Sequence, residues 1–109
     1  MGKASRDKGK RGEREVAAAL RAAGYDGERG QQYHGGKDSP DVTGLPGVHL
    51  EVKRVERFDL YGALSQAKGD AGENIPVVVH RRNNCEWVAV LRLEDFLEFY
   101  REWEAGREQ

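Results

Sequence analysis

Glu51 and Lys53 stand one residue apart in a stretch that alternates with period two. Val48, Leu50 and Val52 share one face, and His49, Glu51 and Lys53 share the other. An acid and an amine therefore converge. A Glu-x-Lys pair is expected about once by chance in a chain of this composition, so its meaning rests on context. The pair interrupts an apolar strand, where charge is costly unless it is used or solvated. The competing reading is a salt-bridged pair on the wet face of an antiparallel sheet. Asp41 follows Pro40 directly, and the turn residues Gly44 to Gly47 predict a hairpin that brings Asp41 alongside Glu51. Carboxylates so placed repel unless they share a cation. The pair thus makes most sense as a divalent-metal site, with oxygen ligands favouring Mg²⁺ and Mn²⁺ as its substitute. Alternatively, Asp41 is an ordinary turn aspartate after a proline.

Glu13 is a third irregularity, because at 100° per residue it falls between Val16, Ala17 and Leu20, inside the apolar stripe of a helix. One reading is a first-turn acid stabilised by the helix N-terminus. The other is that the helix delivers Glu13 to the metal site, where it orients water or a metal-bound ligand. Glu13, Asp41, Glu51 and Lys53 together suit phosphodiester hydrolysis. Asp41 and Glu51 hold the metal with Glu13 beside them, and Lys53 orients the attacking water. His34, His49, His80 and Cys85 show no zinc-type spacing and are assigned no metal. No glycine-rich nucleotide fingerprint is present, which argues against a nucleotide cofactor.

These residues require elements to position them. Residues 1–10 are Gly- and Lys-rich without periodicity and read as a flexible basic arm, followed by a single domain over 11–109. Helical spacing predicts a first helix over Glu13–Ala23 and a second over Leu60–Ala71. Strands are expected at Glu28–Tyr33, Asp41–Thr43, Val48–Val55, Ile75–His80 and Cys85–Leu91, the last four forming two hairpins. Leu93, Phe96, Leu97, Tyr100 and Trp103 lie on one face of a terminal helix, expected to pack on the sheet with part of the aromatic set available for a dimer contact. The fold class is α/β, with a central mixed sheet of about five strands flanked by helices.

With 109 residues, 38% hydrophobic and 34% charged, the chain makes one domain with a thin core, and its nine aromatics argue against disorder. No apolar run approaches the ~20 residues of a membrane span. No signal-like segment follows the basic start, and one cysteine forms no internal disulfide, so a cytoplasmic protein is expected. The net charge of −1 hides an asymmetry. Lys3, Arg6, Lys8, Lys10 and Arg11 crowd one end, and six acids crowd the stretch from Glu94 onward.

Pro40-Asp41, nine residues, then Glu51-Val52-Lys53 resembles the signature of the PD-(D/E)XK nuclease superfamily, with Glu13 where its first helix often carries an acid. Lys8-Gly9-Lys10-Arg11-Gly12-Glu13-Arg14 is similar to the KGxxxER start of the archaeal-type Holliday junction resolvases, and Gln66-Ala67 resembles a Gln-Ala pair in them. The resemblance runs from Lys8 to about Phe99. It implies a restriction-endonuclease-like core and a catalytic set of Glu13, Asp41, Glu51 and Lys53. It also implies a homodimer that cuts four-way DNA junctions symmetrically with Mg²⁺. Where such resolvases often carry a loop serine, this chain has His34-Gly35-Gly36, and Ser39 is the candidate substitute. The DNA-facing set then comprises Lys8, Lys10, Arg11, Arg14, Lys37, Ser39, Arg54, Arg57 and Gln66, with Arg81 and Arg82 extending it. A related nuclease acting on other branched or single-stranded DNA, and a non-catalytic DNA-binding module of the same fold, are the alternative readings.

Overall fold

The computed structural model describes residues 2–30 and 39–108. Five strands, β1 (Glu28–Arg29), β2 (Val42–Thr43), β3 (Val48–Arg54), β4 (Ile75–Arg81) and β5 (Val88–Val90), form one sheet in sequence order. All neighbours are antiparallel except β3 and β4, which run parallel with Leu50 beside Val77 and Glu51 beside Val78. A parallel pair needs a crossover, and helix α2 (Leu60–Ala71) supplies it at the expected bounds. Gly44 and Gly47, at φ +129° and +89°, make the tight turn from β2 into β3, where a side chain would be strained.

Helix α1 (Gly2–Ala22) covers one face of the sheet. Val16 and Ala17 pack there against Val42, Leu50, Val52 and Val77. On the opposite face the small residues Ala63 and Ala67 bring α2 down onto Val78. The alternation of β3 thus divides between two layers, Leu50 and Val52 under α1, and His49, Glu51 and Lys53 on the α2 side. α2 begins at Asp59, whose carboxylate accepts the N–H of Gly62 at 3.0 Å.

Two expectations need correction. Helix α1 starts at Gly2 rather than Glu13, so residues 2–10 continue the helix instead of forming a separate flexible arm. Lys, Arg and Ala are good helix formers, and Lys8 is tied to Glu56 at 3.0 Å, which anchors the early turns on the domain. Glu13 consequently lies well inside the helix and is no first-turn acid. The second correction concerns helix α3 (Leu93–Arg107), which does not bury its apolar face in the sheet. Leu93, Phe96, Leu97, Tyr100 and Trp103 are all exposed, Trp103 by 54%, and Asp95 is the buried residue of the helix. The molecule is accordingly elongated, 51 × 28 × 26 Å.

Smaller differences are confined to element ends: the last strand is shorter than Cys85–Leu91, and of the expected Glu28–Tyr33 strand Glu28–Arg29 are strand, Gly30 is not, and residues 31–33 lie outside the described residues. Among the described residues no helix is long and apolar enough to cross a membrane.

Candidate active site

The β2–β3 register pairs Val42 with Leu50, which sets Asp41 opposite Glu51 as the hairpin requires. Asp41 Oδ2 accepts the backbone N–H of Val52 at 2.8 Å. Its carboxyl also lies within hydrogen-bonding reach of Glu51. Burial pushes the Asp41 carboxyl up to about 6; the Val52 N–H and the Lys53 charge oppose this, and the charge and hydrogen bond of Glu51 reinforce it. Glu51 itself is buried, with 3% of its surface exposed.

Glu13 approaches from α1 with its side chain 16% exposed and accepts a hydrogen bond from Arg29 Nε at 3.0 Å. Its pKa is raised, chiefly by burial; the Arg29 bond pulls it down, and repulsion from Asp41 pushes it further up. Lys53 Nζ donates to Gln66 Oε1 at 3.2 Å, so the first helix turn after the midpoint of α2 holds the amine in place. Four side chains from three separate parts of the chain therefore share one locality. Two carboxylates lie against each other, a third repels one of them, and an ammonium attracts it.

Three residues not assigned to the site from the sequence belong to its surroundings. Arg29 fixes Glu13. His49, assigned no metal from its spacing in the chain, is buried with its Nε2 at 2.8 Å from Glu51 Oε1. Asp70 of α2 completes a group with them in which one donor atom from each lies within 4.8 Å of the others. Among the described residues Glu13, Asp41 and Glu51 do not close to that distance as a trio, which leaves Glu13 at the margin of the Asp41–Glu51 pair. The sequence held a signal for His49 and Asp70. His49 is on the Glu51 face of β3, and Asp70 is four residues after Gln66, hence on the same side of α2.

The basic residues divide by their partners. Lys8 and Arg54 both pair with Glu56 at 3.0 Å, and Arg54 also donates to Asn83 at 2.7 Å, so these two are engaged within the domain. Lys10, Arg11, Arg14 and Arg57 are exposed. Arg81 bridges to Glu15 at 3.3 Å and lies over Trp87, and Arg82 is exposed. Ser39 is half-buried beside Pro40. Lys37, His34 and the Gly35-Gly36 segment lie outside the described residues. His80 has a structural position, stacked on Phe58 at 3.9 Å.

The donor set suits a hard divalent cation, since the buried Asp41 carboxyl, raised chiefly by desolvation and further by the charge of Glu51 opposite it, is relieved by a bound cation that both carboxylates contact. The sheet order, the crossover through α2 and the carboxylates at the β2–β3 ladder define a restriction-endonuclease-like α/β fold. Hjc from the archaeal hyperthermophile Archaeoglobus fulgidus, a Holliday junction resolvase of solved structure, is similar to this chain. The TM-score is 0.53 and the identity 21%, over 77% of this chain and 72% of that one. This likeness shows the shared fold. No family model matches the chain, and no curated protein matches it.

Proposed function

We propose that the protein is a metal-dependent, structure-specific endonuclease that resolves four-way DNA junctions. The observation that carries this reading is the contact between the Asp41 and Glu51 carboxyls, with Lys53 on the same strand and Glu13 coupled to Asp41. Fold likeness to a Holliday junction resolvase supports the choice of substrate.

Asp41 and Glu51 would hold Mg²⁺, or Mn²⁺ in its place, which would supply Lewis acidity towards a phosphodiester oxygen and make a nearby water more acidic. Asp41 is kept in register by the Val52 N–H, and Glu51 by His49. Glu13, oriented by Arg29, accepts a hydrogen bond from water at the edge of the site. Lys53, steadied by Gln66, donates to the attacking water and to charge developing on the phosphate. No covalent intermediate is needed.

Lys10, Arg11 and Arg14 on α1, with Arg57 after β3, contact phosphates on either side of the scissile bond, and Lys37 and Ser39 act from the segment before Pro40. Two symmetric incisions call for a two-fold dimer with one site per strand. The exposed face of α3 supplies the contact surface, because Phe96, Leu97, Tyr100 and Trp103 each keep about half of their surface open. Beside it, Phe96 and Phe99 border an apolar groove of about 850 Å³ over Val16, Leu20 and Trp87.

Labelled four-way junctions, nicked duplex, single strands and linear duplex incubated at equal salt with Mg²⁺ test the proposal. Paired symmetric cuts confined to junctions support it. Equal cutting of linear duplex points instead to a general nuclease. Binding without cutting, unchanged in Asp41→Asn, rejects the enzyme and leaves a DNA-binding module.

A further inference from the structure

We propose that His49, Glu51 and Asp70 form a second cation position, suited to a borderline divalent metal such as Zn²⁺ or Co²⁺. It adjoins the site of the preceding section and shares Glu51 with it. The two donors from β3 are fixed: both side chains are nearly inaccessible, and His49 Nε2 lies 2.8 Å from Glu51 Oε1. Adjacent ligand atoms at about 2.1 Å from one ion are about 3 Å apart, so this spacing is already that of two neighbouring corners of a coordination shell.

Asp70 adds the third donor from a different element. The buried row Ala63, Ala67 and Ala71 lets α2 approach the sheet closely, which allows the short Asp70 side chain to reach the β3 pair. Among the described residues Asp70 has no hydrogen-bond or ion-pair partner of its own, although it is half-buried and its carboxylate faces an imidazole and a second carboxylate. A His–Glu hydrogen bond by itself would satisfy both of its members. An additional partnerless acid brought to the same point is accounted for by a cation that all three bind. The mixed nitrogen and oxygen set separates this position from the all-oxygen Asp41–Glu51 pair and favours a softer ion than Mg²⁺. Three protein donors leave coordination positions open to water or a phosphate oxygen.

The test uses metal-free full-length protein with ¹⁵N-labelled histidine, titrated with ZnCl₂ and followed through the ring-nitrogen resonances. The His49 signal is assigned by elimination using His34→Gln and His80→Gln. The His49 ring nitrogens should shift and saturate near one equivalent while those of His80 stay in place. Asp70→Asn, a half-buried change that preserves shape, should weaken Zn²⁺ binding at least about tenfold. Asp41→Asn should retain the His49 response even though it removes the other site. A His49 spectrum indifferent to several equivalents of Zn²⁺, or Asp70→Asn binding as tightly as the parent, overturns the proposal. Failure of the parent to cut junctions while His49 still responds rejects the nuclease reading and leaves this one standing.

Discussion

Asp41 reaches across the β2–β3 ladder to accept the N–H of Val52 at 2.8 Å, which ties the first carboxylate of the site to the peptide between Glu51 and Lys53. One hydrogen bond therefore sets the relation between the Pro-Asp and Glu-Val-Lys segments. Asparagine at position 41 keeps a carbonyl for the Val52 N–H but loses the charge. Asp41→Asn should leave the fold and junction binding intact and lower the cutting rate at least about 100-fold, measured by single-turnover cleavage beside a binding titration.

The same carboxyl makes stability depend on pH in a defined direction. Its pKa is raised from 3.8 to about 6, so the folded protein holds the proton more tightly than the unfolded chain does. The resulting penalty is absent below the unfolded value, grows between the two, and is complete above about 6. Glu13, also raised, acts in the same sense. Metal-free protein should thus gain stability on acidification from pH 7 towards pH 5, and Asp41→Asn should lose part of that slope and melt higher at pH 7. Thermal melts of parent and variant across this range check it. Cutting should run the other way and fall as the pH drops through about 6, because metal binding needs the ionised carboxylate.

Two glycines of α1 should respond oppositely to alanine. Nothing lies within 4 Å of a Cβ at Gly9, whereas one at Gly12 would sit 2.8 Å from Cβ of Arg54 on β3. Gly9→Ala should stabilise by about 0.5–1 kcal/mol through helix propensity. Gly12→Ala should destabilise by about 1–3 kcal/mol through overpacking, despite the same gain in propensity. Urea unfolding of both variants measures the difference, and a stabilised Gly12→Ala would mean that α1 does not rest closely on β3.

Glu56 occupies Lys8, Arg54 and the N–H of Asn83 together, and these donors hold its carboxyl down at about 2. Removing its charge releases two cations beside the proposed DNA surface. Glu56→Gln should strengthen junction binding and steepen its salt dependence by about one to two counterions, read from the slope of log K against log salt. Hydrogen exchange at residues 2–10 should quicken in the same variant, since the Lys8 tether is weakened.

The apolar face of α3 should govern self-association. Trp103 and Phe96 are exposed by 54% and 50%, so about half of each side chain is open to a partner. Phe96→Ser/Trp103→Ser should shift the protein from dimer to monomer in sedimentation equilibrium, and should leave single incisions where the parent makes paired ones.

The sequence by itself determined the local geometry. Period-two alternation divided β3 between two faces, the turn glycines set the β2–β3 hairpin, and that hairpin placed Asp41 opposite Glu51. Helical spacing bounded α2 correctly. These features depend on backbone sterics and on neighbours close in the chain, so a single segment carries them. The tertiary structure alone decided which long-range partners each face meets. The stripe in α3 revealed an apolar side but not how far this chain would cover it, and it leaves about half of Phe96, Leu97, Tyr100 and Trp103 exposed. Lys8 and Arg54 read as free cations until Glu56 was brought between them. The meeting of His49 with Asp70 depends on how far α2 descends onto the sheet, a distance set by three alanines whose role emerges only once the layers are stacked. Burial and charge pairing belong to the assembled layers, because desolvation and Coulomb energies depend on what arrives from elsewhere in the chain.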